Sequence, residues 1–229
     1  MEAVRPQFEQ PKLAADGRTA IPRVKICGIT NERDALDAIA LGADALGFNL
    51  YPKSKRFIDL EKEAGWIESL PPGIAKVAVM VNPSLEEAGA VSSLPFIDLV
   101  QFHGDEDAEY CAGFARLGRP FIKAIAAKDA SSLQELAKFQ TPLLLLDAYQ
   151  PGEYGGTGRT IDREVLPVPG SLGDLKIILA GGLNPANVRD FVDRLRPHAV
   201  DVASGVESAP GQKDKARMEQ FIRAAAGNS

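Results

Sequence analysis

Two side chains that could move protons each stand where an apolar run gives way to a turn. Cys27 ends Val24-Lys25-Ile26-Cys27 ahead of Gly28, and Asp147 ends the four leucines Leu143-Leu144-Leu145-Leu146. A thiolate can remove a proton, and a neutral carboxylic acid can deliver one. Further along, Gly181-Gly182 and Ser204-Gly205 follow two more apolar runs, offering backbone N–H groups of the kind that hold a phosphate. The combination points to proton-transfer chemistry on a phosphorylated small molecule.

Each candidate also has a plainer reading. Cys27 reads equally as a small buried hydrophobe or as a reactive thiol. Strand alternation puts Lys25 and Cys27 on one face, and a lysine is badly placed against a helix layer, so that face should point inward. An inward lysine needs an acid, and Asp201 is the expected partner. Cys111, beside Tyr110 and Phe114, reads as core. Asp147 could cap a helix, pair with a cation or serve as a pocket acid; a fully apolar strand ending in one carboxyl favours the last. Gly152-Glu153-Tyr154-Gly155-Gly156-Thr157-Gly158 is either a surface loop or a lid bringing the Gly155 and Gly156 amides to a ligand. Lys53-Ser54-Lys55-Arg56 is a solvated charge run or an anion site, and Arg56 matches a planar carboxylate best. His103 reads either as a pocket residue or as a turn histidine. No metal centre is expected, because two distant histidines and no paired cysteines make a poor ligand set.

Something must hold these groups together. Strand-like runs span 24–27, 45–49, 75–81, 99–102, 121–126, 143–147, 177–181 and 200–204, each followed by Gly, Asn, Asp or Ser. Several intervening segments have helical spacing. Val188, Phe191, Val192 and Leu195 do so after Asn184 as N-cap and Pro185 as first helical residue, and Met218, Phe221, Ile222 and Ala225 repeat it. Eight such units in this length predict one α/β domain, a (β/α)8 TIM barrel over 21–229. Its working face is the C-terminal end of the strands, where Cys27, Asn49, Asn82, His103, Asp147, Gly181 and Ser204 fall. His198 precedes the eighth strand and belongs at the opposite, stability face. Residues 1–20 carry no apolar signal-peptide core and read as a weakly structured extension. The net charge of −5 and the absence of a Lys/Arg block argue against nucleic acid, and no apolar run approaches a membrane span. Two cysteines fit a reducing cytoplasm and no disulfide framework.

Together, Lys25-Ile26-Cys27-Gly28-Ile29-Thr30, Gly47-Phe48 with Ser54-Lys55-Arg56, Val100-Gln101-Phe102-His103-Gly104, Leu145-Leu146-Asp147 with Gly155-Gly156-Thr157-Gly158, Leu179-Ala180-Gly181-Gly182-Leu183 and Asp201-Val202-Ala203-Ser204-Gly205-Val206-Glu207 resemble the phosphoribosylanthranilate isomerases of tryptophan biosynthesis. The resemblance runs from residue 24 to about 225, with Phe102 standing where the family usually has leucine and Thr160 where it usually has an aromatic. It implies an Amadori rearrangement without metal or organic cofactor, on a phosphosugar carrying an anthranilate carboxylate, and no obligate protein partner. It also implies Asp147 as general acid, Cys27 as general base, Arg56 on the anthranilate carboxylate, and the two glycine turns on the phosphate, with His103, Gly155 and Gly156 also at the substrate. The histidine-pathway isomerase of similar architecture has an acid where Cys27 stands. A non-catalytic phosphate-binding barrel would not need Cys27 and Asp147 together. One chemical difficulty remains. An ordinary thiol ionises near pH ~8.5 and an ordinary aspartic acid near ~3.9, so thiolate beside neutral acid is disfavoured by roughly 6 kcal/mol unless the site intervenes.

Overall fold

The computed structural model describes residues 7–13, 20–129, 133, 136–148, 161, 164, 166–167 and 171–227. Eight parallel strands close into a barrel: β1 (Arg23–Cys27), β2 (Ala45–Asn49), β3 (Ala75–Met80), β4 (Leu99–Phe102), β5 (Phe121–Ala127), β6 (Leu143–Ala148), β7 (Lys176–Leu179) and β8 (Ala199–Val202). Each pairs with its sequence neighbours, and β8 returns to β1 with Asp201 opposite Lys25. The helices are α1 (Glu32–Ala40), α2 (Leu60–Ser69), α3 (Leu85–Ser92), α4 (Ala108–Ala115), α5 (Val188–Leu195) and α6 (Lys215–Ala226). Short polar side chains start five of them: Asn31, Asp59, Ser84, Asp107 and Asp214 each accept a first-turn backbone N–H, and Ser84 forms a capping box with Glu87. Helix starts therefore sit just beyond strand ends, at the working face.

Where the elements differ from expectation, the cause is local. A short 3-10 turn, Leu136–Phe139, stands between β5 and β6 where a helix was expected. Strand β7 stops at Leu179 because Ala180 N–H still bonds Leu146 O but Gly181, at φ +84°, turns the chain away. After β8 the chain enters a 3-10 turn, Ser204–Val206, so Ser204 is not a strand residue. Asn184 does not cap α5. Its Oδ1 accepts Ala186 N–H and its carbonyl accepts the N–H of Asn187 and Val188, which makes a turn, and the helix begins at Val188.

Two apolar layers result. Outward strand residues such as Ile26, Phe48, Val100, Phe102, Leu144 and Leu146 pack on the helices. Phe102 is fully buried there against Tyr110, Phe114 and Phe121, so its exchange for leucine touches the helix layer and not the pocket. Inside the barrel, a second cluster combines the small residues Ala45, Ala75, Ala124, Ala180 and Ala199 with Val77, Leu99, Ile122, Leu143, Leu145 and Ile178. Phe8 completes that cluster at 1% exposure. The barrel interior must be filled, and an aromatic from outside the barrel helps to fill it.

The described part of residues 1–20, expected to be weakly structured, makes specific contacts with the barrel. Gln7–Glu9 form a 3-10 turn, and Lys12–Leu13 pair antiparallel with Ala20–Ile21. His198 donates from Nε2 to Phe8 O at 2.7 Å and meets the Phe8 ring edge-on. Arg23 bonds Gln10 O, and Lys12 and Arg23 share Asp44. His198 is thus a floor residue, as expected, and burial holds its imidazole below the ordinary value despite the Phe8 carbonyl.

Candidate active site

The strand C-termini surround a pocket whose wall includes Cys27, Asn49, Ser54, Arg56, His103, Asp147, Gly181, Gly182 and Ser204. Most of the site candidates thus share one cavity. Gly205 sits just behind it, where a Cβ would run into the Leu183 carbonyl; its lack of a side chain lets the turns after β7 and β8 meet. The N–H groups of Ser204 and Gly205 open a 3-10 turn and have no acceptor within it. Asn82 is placed elsewhere. Its Oδ1 accepts Asp105 N–H at 2.6 Å, tying together the loops after β3 and β4. Gly155 and Gly156, with the rest of the glycine-rich segment, lie outside the described residues.

Cys27 and Lys25 do face inward. Lys25 is fully buried and bonds Asp201 Oδ1 at 2.8 Å, the pairing expected from the closed barrel. Gly47 makes room for this arrangement on the neighbouring strand: a Cβ there would stand 2.7 Å from Cys27 Sγ and 3.0 Å from Lys25 Nζ. Burial pushes the Cys27 thiol up, and the Asp201 carboxylate adds to that. The neighbouring Lys25 ammonium and Lys213 pull the other way. Burial also opposes the charge on Lys25, but Asp201 and the Cys27 sulfur outweigh it and hold the ammonium above its usual value.

Beside this pair lies a second charged group not anticipated from sequence. Glu207–Ala209 and Gln212–Lys213 form a small antiparallel ribbon that sets Glu207 opposite Lys213. Glu207 takes Arg56 Nε and Nη2 in a bidentate pair, both at 2.7 Å, and Lys213 Nζ at 2.8 Å. Burial would raise Glu207, yet the two cations hold it below the ordinary carboxylate range. Burial depresses Lys213 in spite of the same carboxylate. We take Lys213 as charged because Nζ also donates to Cys27 O at 2.6 Å and Ala203 O at 3.3 Å. Three acceptors match the three protons of an ammonium, and a neutral amine has only two. Three buried or half-buried cations thus face two carboxylates, and a Cys27 thiolate would balance the set. Among the described residues Arg56 gives Nε and Nη2 to Glu207 and makes no hydrogen bond from Nη1.

On the other side, Asp147 Oδ1 accepts the N–H of Ala148 at 2.8 Å, and Oδ2 lies 3.0 Å from His103 Nε2. Gly181 lies against this carboxylate, since a Cβ there would be 3.1 Å from Asp147 Oδ1. His103 Nδ1 in turn meets Gln101 Nε2 at 2.7 Å. His103 is therefore a pocket residue and an orienting partner of the acid. Cys111, the other cysteine, is buried under α4 with its thiol pushed up to about 11 by burial.

A TIM barrel with a thiol and a carboxyl at opposite sides of its mouth, beside two phosphate-type turns, is the scaffold of a sugar-phosphate-converting enzyme. Residues 24–224 match the family model for N-(5'-phosphoribosyl)anthranilate (PRA) isomerase. The N-(5'-phosphoribosyl)anthranilate isomerase of Geobacter sulfurreducens is 47% identical over 205 residues, covering 90% of this chain and 98% of that protein. The crystal structure of phosphoribosyl anthranilate isomerase from Thermotoga maritima superposes with a TM-score of 0.81 at 41% identity, over 90% of this chain and 100% of the other. A second crystal structure, at TM-score 0.76 and 38% identity over the same shares, shows such an isomerase in complex with reduced 1-(o-carboxyphenylamino)-1-deoxyribulose 5-phosphate. The chain belongs to the N-(5'-phosphoribosyl)anthranilate isomerase family.

Proposed function

We propose that Cys27 and Asp147 are the base and acid with which this chain carries out the reaction of its family, the isomerisation of N-(5'-phosphoribosyl)anthranilate in tryptophan biosynthesis. The Asp147 O–H protonates the furanose ring oxygen as the C1'–O bond breaks and the anthranilate nitrogen lone pair forms C=N. The Cys27 thiolate then takes the C2' proton, and the C2'–H electrons give the enolamine. Proton transfer from the C2' hydroxyl to C1' completes the ketone, 1-(2-carboxyphenylamino)-1-deoxyribulose 5-phosphate. A solvent-mediated transfer from thiol to carboxylate resets the pair. Arg56 Nη1 receives the anthranilate carboxylate, and the Gly181-Gly182 and Ser204-Gly205 turns receive the phosphate. None of these steps calls on a cofactor.

The observation that carries this reading is the charge beneath Cys27. Lys25 and Lys213 supply the positive field that the thiolate requires, while Asp147 stands apart, held by a neutral amide and a histidine. These cations offset part of the rise that burial imposes on the thiol. Alkylation is a direct check. Cys27 reaches the pocket and Cys111 does not, so a small haloacetamide should label Cys27, abolish turnover in step with labelling, and be slowed by the reduced product analogue. Full turnover after stoichiometric labelling of Cys27 would refute its assignment.

A further inference from the structure

The relay behind Asp147 contains an inconsistency that points to a further functional residue. Gln101 projects into the barrel from β4 and is completely buried. Its amide nitrogen faces His103 Nδ1 at 2.7 Å, while its Oε1 is buried with no hydrogen-bond partner among the described residues. In that orientation Nδ1 accepts, so the neutral ring carries its proton on Nε2 and donates it to Asp147 Oδ2. Such a ring serves an ionised carboxylate and disfavours the neutral acid. A half-turn of the amide, at almost unchanged shape, puts oxygen where nitrogen was and reverses the polarity of the whole chain.

We infer that Gln101 is a positioning residue that loads the acid: its amide oxygen accepts Nδ1–H of His103, which leaves Nε2 to accept the O–H of Asp147. The inference rests on the reading of Asp147 as the proton donor. In this state the histidine–aspartate pair holds one more proton than in the reversed state, and that proton goes to the substrate oxygen. The Asp147 O–H bond breaks as the new O–H bond forms, and the carboxylate is reprotonated from solvent. Other groups around the relay do not substitute for Gln101. The residues paired with it on β3 and β5 are Val79 and Ile122, neither titratable. Lys123 on β5 is engaged by Glu106 and the Gly104 carbonyl. Cys27, Arg56 and Asp201, the remaining charged or titratable pocket groups, are tied to the Lys25 and Glu207 clusters on the far strands.

The chain has only two histidines, so long-range proton–nitrogen NMR on histidine-labelled wild-type protein reads the tautomer directly, with His103→Asn assigning the signals. The expected result is a His103 ring protonated on Nδ1, or on both nitrogens at low pH. A neutral ring protonated on Nε2 throughout would overturn the inference without bearing on Asp147. Two near-isosteric variants give the kinetic counterpart. Gln101→Met, which cannot accept, should lower kcat by about 10²-fold, the scale of a general-acid contribution, leave KM nearly unchanged, and move the limb of the kcat/KM profile that Asp147 governs to lower pH. Gln101→Glu, a stronger acceptor, should move that limb to higher pH. Folded variants with wild-type profiles would refute the role of Gln101, whereas an active Asp147→Asn would refute the underlying assignment of the acid.

Discussion

Arg56, proposed to receive the anthranilate carboxylate, also holds the site together through Glu207. Its Nε and Nη2 are taken by Glu207, and the residue also lines the pocket. Arg56→Ala should therefore raise KM far more than it lowers kcat, with a binding loss of about 2–3 kcal/mol for a charge-assisted contact. It should also lower the melting temperature, because Glu207 loses its bidentate partner. Steady-state kinetics beside thermal melts check this, and an unchanged KM with a collapsed kcat would contradict it. At this scale the sequence was partly legible. Cys27 and Asp147 could be singled out by strand alternation and strand-end position, and Arg56 by the match of a guanidinium in a working-face loop to a planar carboxylate. Gln101, Glu207 and Lys213 were not, since their significance lies in contacts with residues far off in sequence. Gln101 still left a trace, a polar residue two positions before His103 in a strand that is otherwise apolar.

The ribbon after β8 and the extension before β1 each join the barrel through a few specific groups. Glu207 is held below its ordinary range, so its ionised form contributes to folding at every pH above the usual carboxylate value of ~4.3. That contribution fades as the pH falls from there through the lower, folded-state value. Glu207→Gln should flatten the acid side of the stability profile, as denaturant melts across that range would show; an unchanged acid limb would contradict the ion-pair account. At the floor, Phe8→Ala should cost about 3–5 kcal/mol, the usual range for emptying a buried aromatic site, and leave KM near wild type because the pocket is at the other end. A loss under ~1 kcal/mol would mean that Phe8 does not fill the interior. Periodicity made the eight strands and the last two helices legible. It could not show this plug, because Phe8 stands alone among polar residues and its value comes from the small alanines it meets inside the barrel.

For the molecule as a whole, the barrel separates stability from chemistry along its axis. Phe8 and His198 occupy the floor, a buried Lys25–Asp201 pair lies above them, and Cys27, His103 and Asp147 line the pocket at the mouth. Cys27 and Asp147, as the proposed base and acid, should do the proton transfers while contributing little to fold or affinity. The most direct measurement is kcat for Cys27→Ser and Asp147→Asn, taken with the affinity of each variant for the reduced product analogue. The expected result is a fall in kcat of at least about 10²–10⁴-fold in each, the range for a lost acid or base, with analogue binding within a few-fold of wild type. Substantial turnover by either folded variant would contradict the claim and remove that residue from the mechanism.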